Sequence, residues 1–391
     1  MEPMKLYFDV RDIFRSPRLA LSGKKIWLFL KANIFGFAVY WVLSYIALIL
    51  GGTNFSEAVN NFGLYPCVYC AENISLMSQI IYWIGIAVWV ISIYFACTAV
   101  SRITYKQLKG DDFYSVADAR KFIKIHRYPI ILSWVSILLI AAFFGLGASV
   151  FALIGKIPFV GEIIFSLLYL LYFFGSVFTV YTSIVFITSL IYSPAIVATL
   201  EEDTMGTVFQ SYTITWSQPW RLVLYHLTLL PIVVIGVTIF KWFWFSAYKL
   251  INIIFGADWL MGVKLQNIVG WATDLVNPQF GFCNFMKCST TVDDTVSQQT
   301  LLSLNDGVLL SSSEYIAGTI LAIILFILLM SIVSYGLSIL SVGETIMFII
   351  FKKKSNDENL LDRNDEDDIS EDESDQNIEG DIGKEKDNPA A

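Results

Sequence analysis

Six long apolar stretches, almost free of charged residues, dominate the pattern of hydrophobic and polar positions along this chain. They cover residues 26–50, 80–100, 130–154, 163–192, 222–240 and 316–351. Each reaches or approaches the roughly 20 residues that a helix needs to cross a bilayer. A helix also satisfies its own backbone hydrogen bonds in lipid. The pattern therefore predicts an all-α, polytopic transmembrane bundle of about six spans.

The distribution of Lys and Arg sets the expected orientation. Six of these residues lie among the first 25 and seven between the second and third spans, whereas residues 51–79 contain none. Because short cytoplasmic segments carry an excess of Lys and Arg, the N-terminus and the second connection are predicted to be cytoplasmic. Lys352, Lys353 and Lys354 follow the last span, so the C-terminus is expected on the same side.

Two positions in the spans leave room for interpretation. Residues 163–200 contain no charge and are interrupted at Gly175 and Ser193-Pro194, so one long tilted helix and two short helices both fit. We favour one helix, because a seventh span would carry the three terminal lysines outside.

Glu344 is expected where the last helix reaches the cytoplasmic headgroups, since a carboxylate at the bilayer centre would cost about 2.5–3.5 kcal/mol.

Composition separates a membrane body from an acidic tail. Of the 391 residues, 56% are hydrophobic and 15% aromatic, which argues against a soluble globular fold. The net charge of −8 combines a basic body with residues 357–391, which hold 15 acidic and 3 basic residues. A segment with so many charges cannot bury enough apolar surface to fold, so we predict that this acidic tail is disordered. The basic body suits anionic membrane lipids, and no nucleic-acid partner is expected.

These patterns divide the chain into five predicted regions. Residues 1–25 form a cytoplasmic amphipathic segment, and residues 26–240 hold five spans with two cytoplasmic amphipathic connections. Residues 241–315 form a small outer cap, in which residues 259–276 are an amphipathic helix lying on the outer surface. Residues 316–351 are the sixth span. Residues 352–391 are a basic juxtamembrane patch and the disordered acidic tail.

A repeated layout links the two cytoplasmic connections. In each, an acidic pair is followed by a proline, and the spacing from Asp112 to Pro129 equals the spacing from Glu202 to Pro219. Acidic side chains favour the positive end of a helix, and proline suits the first turn of the helix that follows. The layout predicts two matching modules, each a span, a short amphipathic helix and a second span.

The second of these modules carries a resemblance. Tyr192-Ser193-Pro194-Ala195, Glu201-Glu202, residues 208–212 and Pro219-Trp220-Arg221 follow one another in this order. This pattern resembles uncharacterised bacterial polytopic membrane proteins of the type of the membrane domain attached to some glycerophosphoryl diester phosphodiesterases. The resemblance covers spans two to five. No phosphodiesterase barrel is present, so it implies a membrane module in envelope or lipid biology and no enzymatic activity.

Cysteine is the other chemical signal. Cys67 and Cys70 form a C-x-x-C in the first outer loop, Cys283 and Cys288 lie in the predicted cap, and Cys97 lies within span two. If the outer compartment is oxidising, disulfides among the four outer cysteines are the default. A four-thiolate zinc site and an exposed redox C-x-x-C are the alternatives. Spacing alone does not decide between them.

The sequence favours a nonenzymatic function. His126 and His226 are too far apart to form a ligand pair by spacing, and no nucleophile with its base and no phosphate-binding loop is evident. We therefore expect a multi-pass protein of the cell (inner) membrane that acts as a structural or accessory subunit or a lipid-interacting scaffold of the envelope. Membrane lipids and a protein complex would be its partners.

Two other functions stay open. A transporter or channel built from two parallel modules is suggested by the repeat and by polar residues of span four, which are Thr179, Thr182, Ser183 and Thr188. An outer-face thiol-redox protein would use Cys67 and Cys70.

Overall fold

A computed structural model of the chain describes residues 4–70, 75–276 and 310–363. Its α-helices are α1 (Ser16–Ala20), α2 (Gly23–Leu50), α3 (Phe55–Phe62), α4 (Leu76–Lys109), α5 (Val116–Ile125), α6 (Arg127–Gly155), α7 (Val160–Leu167), α8 (Tyr169–Leu200), α9 (Thr204–Ser217), α10 (Pro219–Phe255), α11 (Val263–Val276) and α12 (Ser312–Asn356). Six of them, α2, α4, α6, α8, α10 and α12, are long and apolar enough to cross a membrane. The predicted all-α bundle of six spans is confirmed, and the chain is an integral, multi-pass membrane protein.

The core lies toward one end of the bundle. We call this end the basic end, because α12 finishes there with Lys352, Lys353 and Lys354. The last turns of α4, α8 and α12 pack together at this end, and residues 345–351 of α12 are all buried. The N-terminal segment, α5 and α9 cover these turns, while α3, α7 and α11 lie toward the opposite end.

The repeated layout corresponds to two similar structural modules, α4–α5–α6 and α8–α9–α10. The spans α4 and α8 each end at a residue in the left-handed conformation, Gly110 at φ 102° and Glu201 at φ 58°. The short helix that follows begins at an N-cap whose side chain accepts backbone N–H groups, Ser115 for α5 and Asp203 for α9. Such caps satisfy the free N–H groups of a first turn and stabilise a helix by about 1 kcal/mol.

Residues 169–200 form one span helix, so this stretch supplies a single span as we favoured, but residues 163–167 belong to a separate short helix. The short helix α7 precedes it, and only Leu168 separates α7 from α8. Pro194 lies inside α8 without ending it, in a stretch where residues 192–200 are all buried against neighbouring helices. Membrane helices tolerate an internal proline where the surrounding helices hold the backbone in place.

The start of the predicted outer cap is helical. Helix α10 continues to Phe255, so residues 241–255 prolong the helix of the fifth span. Helix α11 packs along α12, and a Cβ on Gly318 would come 2.7 Å from the Trp271 side chain. Only glycine permits so close an approach here. Residues 277–309, the rest of the predicted cap, lie outside the described residues.

The N-terminal segment is part of the bundle. A short 3-10 helix, Val10–Arg15, and α1 contact both α10 and α12. The Tyr335 hydroxyl donates to the Pro17 carbonyl at 3.3 Å, and the Ser338 hydroxyl donates to the Ala20 carbonyl at 3.1 Å. Buried residues of this segment contact the main core. The segment therefore fixes the positions of α10 and α12 relative to each other.

The start of the predicted disordered tail is folded. After α12 the chain turns back, and a short 3-10 helix, Leu360–Asp362, buries Leu360 and Leu361 in the main core. The Tyr105 hydroxyl donates to the Leu360 carbonyl at 2.9 Å. The predicted boundary of the tail is therefore wrong for residues 355–363, because two leucines supply enough apolar surface to dock them. Residues 364–391 lie outside the described part of the chain.

Candidate functional site

The cysteines singled out from the sequence are mostly beyond what the structure describes. Cys67 is half-buried in the connection between α3 and α4, and neither it nor Cys97 forms a disulfide with another described residue. The Cys70 side chain, Cys283 and Cys288 lie outside the described residues. Disulfide, zinc and thiol-redox roles for Cys67, Cys70, Cys283 and Cys288 therefore stay predictions. Among the described side chains, no group of three or more metal-binding residues is present.

The centre of the basic end is a buried ion pair that sequence reasoning missed. Arg102 Nη2 of α4 lies 2.7 Å from Glu201 Oε1, and their side chains are 0% and 6% exposed. Arg102 Nη1 also donates to the Ala198 carbonyl in the last turn of α8 at 3.0 Å. A buried ion pair is stable only when the two opposite charges are close and hydrogen-bonded, because each ion has lost its hydration. The contact joins the last turns of α4 and α8.

Two features of the local sequence place Glu201 for this role. As a non-glycine residue at φ 58°, it occupies a conformation that costs roughly 1 kcal/mol. The left-handed turn ends α8, and Asp203 then accepts the Gly206 N–H at 2.7 Å to start α9. A Cβ on Gly206 would lie 2.1 Å from Glu202 Oε2, the end of a flexible side chain that would have to move aside.

A third helix contributes to the same centre. The Arg102 guanidinium lies 4.4 Å from the centroid of the Phe122 ring of α5, within the range of a cation–π contact. Phe122 is buried with Ile130 and Val197, and its ring stacks on His126 at 4.3 Å between centroids. Arg102 thus joins α4, α5 and α8, so one guanidinium connects the two modules.

Polar side chains of the spans bond mainly to one another or to their own helix. Ser101 of α4 and Ser341 of α12 are 3.2 Å apart, and Asn33 of α2 donates to Ser334 of α12 at 3.1 Å. Such pairs hold neighbouring membrane helices together. Of the polar residues noted in span four, Thr182 accepts from Tyr212 of α9, whereas Thr179, Ser183 and Thr188 donate to carbonyls of α8. Each of the four hydroxyls therefore has a hydrogen-bond partner within the bundle.

Glu344, His226 and His126 are the other ionisable residues that the sequence analysis named. Glu344 is half-buried near Tyr94, Cys97 and Tyr192. Helix α12 continues beyond it through buried residues to Asn356, and the predicted position of Glu344 at the cytoplasmic headgroups stays a prediction. His226 Nδ1 lies 2.8 Å from the Leu222 carbonyl, so it is bonded within its own helix. His126 also lies against a carbonyl of its own helix, at 3.2 Å from Phe122 O.

A second feature is a helical arm that leaves the core. We call residues 138–180, which comprise the later part of α6, all of α7 and the start of α8, the arm. Within it, Gly161 is the only buried residue. Helices α6 and α8 of the arm contact each other through pairs such as Phe144 and Phe178, whose ring centroids are 4.8 Å apart. Apolar side chains therefore cover every side of the arm.

One row of the arm is made of small residues. Ala141, Gly145 and Ser149 follow one another at intervals of four along α6, which places them on one face. A Cβ built on Gly145 would meet no atom within 4 Å, and the same holds for Gly147 on another face. Rows of small residues let membrane helices approach each other closely.

Comparison of the chain with models of protein families, with curated proteins and with solved structures finds no match in any of the three. The resemblance to the membrane domain of glycerophosphoryl diester phosphodiesterases therefore stays a prediction. What the geometry itself offers is a buried ion pair that positions helices and an apolar arm with a row of small residues.

Proposed function

We propose that this protein is a nonenzymatic accessory subunit of the cell (inner) membrane that packs its arm against a second membrane protein. The observation that supports this is the exposure of the arm, in which Gly161 alone is buried. Large exposed apolar surfaces mark sites of contact with lipid or protein. The row formed by Ala141, Gly145 and Ser149 favours protein, because small residues allow a second helix to approach.

The rest of the surface suits a scaffold in contact with lipid. At the basic end, α5 exposes Arg120, Lys121 and Lys124, which attract anionic headgroups. We place this end in the cytoplasm, because Lys and Arg are enriched in cytoplasmic segments. The N-terminus, α5, α9 and the acidic tail would then be cytoplasmic, and α3, α7 and α11 would face the other side.

The experiment compares two leucine substitutions in the arm. Gly145→Leu fills the row of small residues, and Gly147→Leu adds the same side chain elsewhere on the same helix. Neither new Cβ meets an atom of the described chain within 4 Å, so both variants should fold with unchanged melting temperature. The protein and each variant are purified gently from their own membrane, and the proteins that accompany them are quantified.

We expect Gly145→Leu to lower the recovered partner at least tenfold and Gly147→Leu to change it less than twofold. If the unaltered protein recovers no partner in stoichiometric amount, or if both variants recover it equally, the proposal fails.

A transporter or channel is the second candidate, and Glu344 is the observation that favours it. Ionisable residues within spans commonly mark ion or proton pathways, and this carboxyl lies between helices near Cys97 and Tyr192. Proton or cation flux into liposomes that is abolished by Glu344→Gln would support transport. Flux equal to that of empty liposomes would exclude it for the ions tested.

A further inference from the structure

Four cationic side chains lie together on the surface of the basic end, in α5 and in the first residue of α6. All four are exposed, and they are Arg120, Lys121, Lys124 and Arg127. We call these four residues the α5 basic surface. Arg120 and Lys124 are four residues apart and share one face of α5. The buried residues of this helix are Ala119 and Phe122, so the cations face away from the core.

The α5 basic surface carries charge that nearby residues do not neutralise. Within the part of the chain that the structure describes, none of the four cations forms an ion pair. The one acidic residue of α5, Asp118, is bonded to Ser115 at the start of the helix. The lysines that end α12 differ, because each of them lies within 3.7 Å of a carboxylate. An anionic segment is therefore attracted to α5 more than to the end of α12.

The acidic tail begins beside this surface. Lys109 Nζ, on the last residue of α4, donates to the Arg363 carbonyl at 2.7 Å. Only residues 110–115 connect α4 to α5, and the two helices pack against each other. Residues 364–391 follow Arg363 and hold 12 acidic and 2 basic residues. Eight of the acidic residues lie in residues 365–375, which contain no Lys or Arg.

The acidic residues are close enough along the chain to reach the basic surface. Helix α5 has 10 residues, a length of about 15 Å. Residues 364–375 span up to about 40 Å when extended. Because the segment is attached nearby, its effective concentration at the surface is roughly millimolar. The ion pairs would all be exposed and screened by salt, so the contact should add little to the free energy of unfolding.

We propose that residues 365–375 of this chain lie along the α5 basic surface. Eight carboxylates then face four cations that have no other counter-ion in the described chain. The segment thereby controls access of anionic lipid headgroups to α5, since headgroups reach the four cations only where the segment has left them. The contact stands whether or not the arm binds a partner, because α5 lies outside residues 138–180.

The test is zero-length cross-linking of the full-length protein in a non-ionic detergent. A water-soluble carbodiimide joins a carboxylate to a lysine amine that it contacts, and the linked peptides are identified by mass spectrometry. We expect links from residues 365–375 to Lys121 and Lys124. The link between Lys354 and Asp9 is the internal reference, since the fold holds these side chains 2.9 Å apart. Relative to it, the yield should fall about fivefold between about 50 and 500 mM salt, because salt screens exposed charges.

Two charge-reversal variants show whether α5 is the surface that the segment recognises. Arg120→Glu with Arg127→Glu reverses half of the basic surface and leaves both lysines in place to report the contact. Arg18→Glu with Arg221→Glu is the matched control, because these two arginines are also exposed but lie outside α5. The first variant should lower the yield at least fivefold, and the control should change it less than twofold. All four arginines are exposed, so both variants should fold.

Lipid headgroups are tested as the competing occupant in bilayer discs. With one-third phosphatidylglycerol, the yield should stay above half of that in discs of phosphatidylcholine alone. A yield reduced to that of the Arg120→Glu, Arg127→Glu variant would mean that headgroups occupy α5 instead, and would overturn the proposal.

Three other results would also overturn it. They are no link between residues 365–375 and the two lysines of α5, equal yields in the two charge-reversal variants, and links that form only between different copies of the chain. A mixture of unlabelled and ¹⁵N-labelled protein reveals the last, because such links join peptides of different isotope content. The arm variants Gly145→Leu and Gly147→Leu should cross-link like the unaltered protein, so failure of this contact and failure of the proposed partner are distinguishable.

Discussion

Removing one charge of the buried ion pair should destabilise the protein strongly. In the Glu201→Gln variant the shape and the backbone conformation of residue 201 are kept, but the buried Arg102 guanidinium loses the carboxylate charge that lies 2.7 Å away. Breaking a buried pair in this way typically costs about 3–5 kcal/mol, because an uncompensated charge stays in the interior. The bond from Arg102 to Ala198 and the contact with Phe122 remain, so we expect the lower part of this range.

The assay is the free energy of unfolding of the purified protein in detergent, measured by titration with a denaturing detergent. Glu202→Gln is the matched control, since Glu202 adjoins Glu201 but makes no ion pair in the described part of the chain; it should change stability by less than about 0.5 kcal/mol. The double variant Arg102→Met with Glu201→Gln removes both charges and should recover most of the loss.

The reasoning would be refuted in either of two ways. A loss below about 1 kcal/mol for Glu201→Gln would mean that water or lipid headgroups screen the pair as at an exposed site. A double variant less stable than the single one would mean that Arg102 stabilises the protein through contacts other than the charge of Glu201.

Three further predictions concern packing and the chain ends. Gly36→Ala should lower stability by more than about 2 kcal/mol in the same titration, because the new Cβ would lie 2.9 Å from the Trp89 backbone and closer to its ring. Leu360→Ala should lower the free energy of unfolding by about 2–4 kcal/mol. A chain that ends after residue 363 should unfold like the full chain. If Leu360→Ala and this shortened chain were equally stable, residues 357–363 would not dock. The Lys354 ammonium holds the pKa of Asp9 below its usual range, so this contact contributes at neutral pH and is lost as the pH falls through the lowered pKa. The hydrogen-exchange protection factors of residues 4–20, which correct for the intrinsic effect of pH on amide exchange, should therefore fall below about pH 4, and fall less in Asp9→Asn, which has already lost the contact.

The spans were predictable because the bilayer imposes a length and a polarity on each of them. Long stretches with almost no charge identified all six helices, and the spacing of acidic pairs before Pro129 and Pro219 located α5 and α9. The ends of the helices were less predictable. Helix α10 continues past its predicted end at residue 240 as far as Phe255, because aromatic residues such as Trp242 and Trp244 continue the helix as readily as they mark a membrane boundary.

The site was largely beyond local sequence patterns. Arg102 and Glu201 are far apart along the chain, and each also fits a solvated position, one among basic residues and the other before a helix. Nothing near either residue indicates that the turns carrying them meet. Leu360 and Leu361 were overlooked for a related reason, since the acidic residues around them dominate the composition. A pair of adjacent leucines in a charged segment was the available signal that this part docks.

The most direct test of the accessory-subunit account is native mass spectrometry of the protein released gently from its own membrane. We predict a complex heavier than a single chain that contains a second membrane protein, persists in Gly147→Leu and dissociates in Gly145→Leu. The mass of one chain, or of the chain with lipid alone, in the unaltered protein and both variants would contradict it.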